Sequence, residues 1–98
     1  MKPTKKQRHE IYLEAKEMLI KSSDCGMCLL LAISYEKHLS KRGIYDVSVK
    51  YAELLDLLPE FNAIKPENKT SHEYWFENKE QRLAAFNKMI EKTKSNDA

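Results

Sequence analysis

Glycine, proline and cysteine are scarce in this chain: two, three and two among 98 residues. So few turn-formers disfavour an all-β fold, which needs many tight connections, and suit helices joined by a few loops. Two cysteines cannot build the disulfide framework of a small secreted domain. Long apolar runs are also missing. The longest is Met27 to Ile33, seven residues, where a membrane-spanning helix needs about 20. The basic N-terminus has no apolar segment after it, so it does not read as a secretory signal. Glu10, Glu14 and Glu17 argue equally against a transit peptide. These absences lead to the expectation of a reduced, cytoplasmic protein that makes no membrane contact.

What is present is one core's worth of apolar residues and many charges. The chain is 42% hydrophobic and 33% charged, too apolar for a disordered segment, and its length suits a single domain. The formal net charge of +2 is unevenly placed. Lys2, Lys5, Lys6 and Arg8 come before any acid, and the rest of the chain holds 13 basic against 15 acidic residues. The expectation is therefore a mildly acidic body, residues 1–98, with a basic N-terminal arm over about residues 1–9. A polar tail over about residues 93–98 should fray.

Periodicity predicts four helices. From Lys5 to Lys21, Ile11, Ala15, Met18 and Leu19 share a face, with Thr4 as N-cap. From Cys25 to Arg42, Cys28, Leu31, Ala32, Tyr35 and Leu39 share another; Met27, Leu30 and Ile33 widen it, so this helix should be central. Gly43 suits its C-terminus. A short third helix capped by Ser48 would bury Tyr51, Leu54, Leu55 and Leu58 and stop at Pro59. Pro59 to Lys69 reads as a loop. Asn78 and Gln81 fit a capping box opening a last helix to about Lys92, with Leu83, Phe86, Met89 and Ile90 inside. The fold class is all-α, a small antiparallel bundle or orthogonal array. Its size is near the lower margin of easy stability, so a homo-oligomer fits.

No catalytic pattern is present: no Ser-His-Asp order, no H-E-x-x-H and no Gly-rich phosphate loop. The reading is of a non-enzyme without cofactor or metal. Three constellations remain. Cys25-Gly26-Met27-Cys28 is a C-x-x-C pair, suited to thiol redox chemistry or half a zinc site. The ordinary reading is that Cys28 is a small buried core residue and Cys25 sits at a helix start. His9, His38 and His72 are too scattered to complete a ligand set. Lys2, Lys5, Lys6 and Arg8 form the alternative nucleic-acid surface, since such clusters neutralise phosphates. Tyr74-Trp75-Phe76 with Arg82 and Lys65 is the third. Three consecutive aromatics cannot all face one core, and Trp, Tyr and Arg are hot-spot residues for a protein partner or a small anionic ligand. The competing reading is a hydrophobic plug at the bundle end.

Cys28 to Leu31, Leu58-Pro59-Glu60-Phe61, Lys65-Pro66, Tyr74-Trp75-Phe76 and Arg82-Leu83 together resemble a pattern in small phage and prophage proteins. The resemblance covers about two thirds of the chain, from Cys25 onward. It implies an accessory protein acting on a host factor and supplies no catalytic residue.

Overall fold

The computed structural model describes residues 3–21, 27–39, 54, 56–64 and 79–94, apart from the Cys28 side chain. The elements are α1 (Lys5–Lys21), α2 (Met27–Leu39), α3 (Pro59–Ile64) and α4 (Lys79–Thr93), all helical as the composition predicts. No helix among the described residues is long and apolar enough to cross a membrane.

Helix α1 begins where Thr4 can cap it. The Gln7 amide donates to Thr4 Oγ1 at 3.1 Å, and the Thr4 amide donates to Gln7 Oε1 at 2.8 Å. This reciprocal pair satisfies two backbone donors that the first turn leaves without helical partners. Ile11, Ala15 and Leu19 are fully buried, as their spacing predicts, and Met18 packs against the core from its edge. Tyr12 is fully buried too. It completes a second i, i+3, i+7 line with Ala15 and Leu19, which widens the inner face of α1.

Helix α2 places Met27, Leu30, Leu31 and Ala32 in the core, with Tyr35 and Leu39 packed at its margin. Ser34 is fully buried, and its hydroxyl donates to the Ile11 carbonyl at 2.8 Å. A small polar residue here lets the two helices approach and supplies the buried hydroxyl with a partner. One turn further along each helix, Lys37 pairs with Glu14. The second half of α2 thus lies against the middle of α1.

The segment from Leu54 differs from its expected form. Leu54 and Leu58 are buried, and the Leu58 amide donates to the Leu54 carbonyl at 2.7 Å. Pro59 does not end the structure there. It opens the six-residue helix α3, where a loop is expected from the sequence. Proline costs nothing at a first helical position, because its missing N–H would have had no partner and its φ is already helical. Glu60 in the first turn complements the helix dipole, and Phe61 is fully buried. Ser48, Tyr51 and Leu55 of the expected third helix, and the Lys65 to Lys69 part of the expected loop, lie outside the described residues.

Helix α4 buries Phe86 and Met89 fully, with Arg82, Ala85 and Thr93 also inside and Leu83 and Ile90 at the core margin. It runs antiparallel to α1. His9 near the start of α1 meets Thr93 at the end of α4, with Nδ1 to Oγ1 3.0 Å. Lys79 at the start of α4 donates through Nζ to the Ile20 carbonyl at 3.3 Å, near the end of α1. That contact sets a cation against the negative end of the α1 dipole.

Candidate contact surface

Two features of α1 stand on opposite sides of the question of function. One is a polar pin that fastens the fold, and the other is an apolar ridge that the fold leaves outside.

The pin joins α1 to α3. Arg8 donates through Nε to Glu60 Oε1 at 2.8 Å and through Nη2 to Glu60 Oε2 at 3.0 Å. Its Nη1 donates to the Pro3 carbonyl at 2.9 Å. Tyr12 donates its hydroxyl to Glu60 Oε1 at 2.7 Å. The two-point guanidinium–carboxylate geometry is the strong form of the ion pair. Its side chains are only 18% and 13% exposed, so water screens the pair weakly. Burial pushes the Glu60 carboxyl toward its neutral form, but the bonds from Arg8 and Tyr12 outweigh it and hold the group below the usual carboxylate range. Burial raises the Tyr12 phenol, and its bond to Glu60 adds to the shift. The Glu60 bond likewise raises Arg8. Tyr12 and Arg8 therefore keep their protons, and Glu60 keeps its charge, across the ordinary pH range.

The pin changes the standing of the basic arm. Positions 5 to 9 belong to the first turns of α1. Arg8 is committed to Glu60, and His9 is committed to Thr93. The Thr93 hydroxyl also lies 2.9 Å from the Met89 carbonyl and 3.1 Å from the Ile90 carbonyl. Its contact with His9 adds to these, so the end of α4 is tied to the start of α1. Lys5 and Lys6 are exposed, and Lys2 lies outside the described residues. Of the four expected phosphate contacts, Arg8 is thus turned inward to a carboxylate.

The aromatic surface fares differently. Lys65, Tyr74 and Trp75 lie outside the described residues, as does Phe76. Arg82 is 5% exposed on the inner side of α4, a position for an internal contact rather than an open clamp. Cys25 and His72 also lie outside the described residues, and Cys28 is placed only by its backbone in the first turn of α2. Among the described residues, no group of three His, Cys, Asp or Glu side chains is set to hold a metal ion.

The ridge was not singled out from the sequence. Leu13 is 42% exposed and Ile20 is 54% exposed. They are seven residues apart, so they share one line on the side of α1 opposite its buried stripe. They line an open groove of about 480 Å³ with Glu10, Glu14, Lys16, Glu17 and His38. Glu14 is held below the usual carboxylate range, chiefly by its bond to Lys37. The available signal was the second apolar period within the α1 sequence, out of phase with the first.

No protein-family model matches the chain, and neither a curated protein nor a solved structure does.

Proposed function

We propose that this chain is a small helical binding protein without catalytic activity, and that it engages a protein partner through the outer face of α1. The observation that supports this is the exposed Leu13–Ile20 ridge, where most large hydrophobic side chains among the described residues are buried. Among the described residues eleven large side chains are fully buried, and Leu29 is the remaining large hydrophobic one that is exposed, at 36%. An apolar ridge bordered by charges is the form that helix-to-helix recognition takes. The short motifs resembling phage and prophage proteins supply the setting: an accessory protein whose partner is a host factor.

The test is partner retention by the wild-type chain and by the Leu13→Lys/Ile20→Lys variant, with thermal unfolding measured on both. The proposal expects equal folding and loss of the retained protein in the variant. Retention of the same protein by both would move the contact elsewhere on the molecule.

A further inference from the structure

We draw no further inference here: the strongest candidate, the exposed Leu13–Ile20 face of α1, has Lys6 and Lys21 on the same edge as Glu10 and Glu17 and so carries no charge pattern that selects an occupant, and nothing in the structure shows what covers it.

Discussion

Arg8 and Glu60, 52 residues apart, are joined through two hydrogen bonds of 2.8 and 3.0 Å, and Tyr12 adds a third at 2.7 Å to the same carboxylate. Without this pin, the polar first turn of α3 would bury a lone charge against α1. Removing one partner from a largely desolvated pair costs more than the pair contributes, because the other charge keeps its burial cost. Glu60→Gln should therefore lower stability by about 2–3 kcal/mol, measured by urea unfolding. The same substitution should flatten the acid limb of stability. Glu60 has a lowered pKa in the folded chain, so its contribution is present above the ordinary carboxylate pKa and fades as pH falls through the folded value. Wild type and variant should converge in strongly acidic solution. A constant gap between them down to the acid limit would show that packing, not the charge, sets the difference.

Ser34 decides how closely α1 and α2 approach. Ser34→Ala removes the bond to Ile11 but leaves that carbonyl within a helix, so about 1 kcal/mol should be lost. Ser34→Leu adds volume to a fully buried position and should cost about 1–3 kcal/mol from overpacking in addition to the lost bond. The check is the order of the two denaturation midpoints. An alanine variant less stable than the leucine variant would contradict the close approach.

The nucleic-acid reading makes a separable prediction. Deleting residues 1–9 should destabilise the fold, because it removes the Thr4 cap, the Arg8 pin and the His9–Thr93 bond together. Loss of binding in that deletion would say nothing about phosphates. Lys5→Glu/Lys6→Glu keeps those structural contacts and should unfold within about 0.5 kcal/mol of wild type, as exposed substitutions do. With Arg8 turned inward, nucleic-acid retention should be weak and lost at modest salt for both proteins. Tight binding that falls steeply with salt and disappears in the double variant would restore the basic surface.

Much of the helical pattern is legible in the sequence, for a definite reason. Apolar residues at spacings of three and four mark the inner faces of α1 and α4, and Thr4 marks the start of α1. Polar pairing is not legible in the same way. Arg8 carries no signal that distinguishes a phosphate contact from a carboxylate 52 residues away. Pro59 reads from the sequence as a stop, and the structure opens a helix there for a related reason: the missing N–H that stops one helix also suits the first position of the next. The groove is intermediate. Leu13 and Ile20 repeat at seven residues, but only the position of the core reveals that this second line faces outward.

The role of that outer line is tested most directly by amide NMR spectra of the labelled chain with and without the protein it retains. The contact surface predicts shifts on adding that protein that gather at Glu10, Leu13, Lys16, Glu17 and Ile20. The exposed side of α4, at Asn87, Lys88 and Glu91, should stay unchanged. Spectra that the added protein leaves unchanged, or shifts gathered on α4 instead, would contradict it.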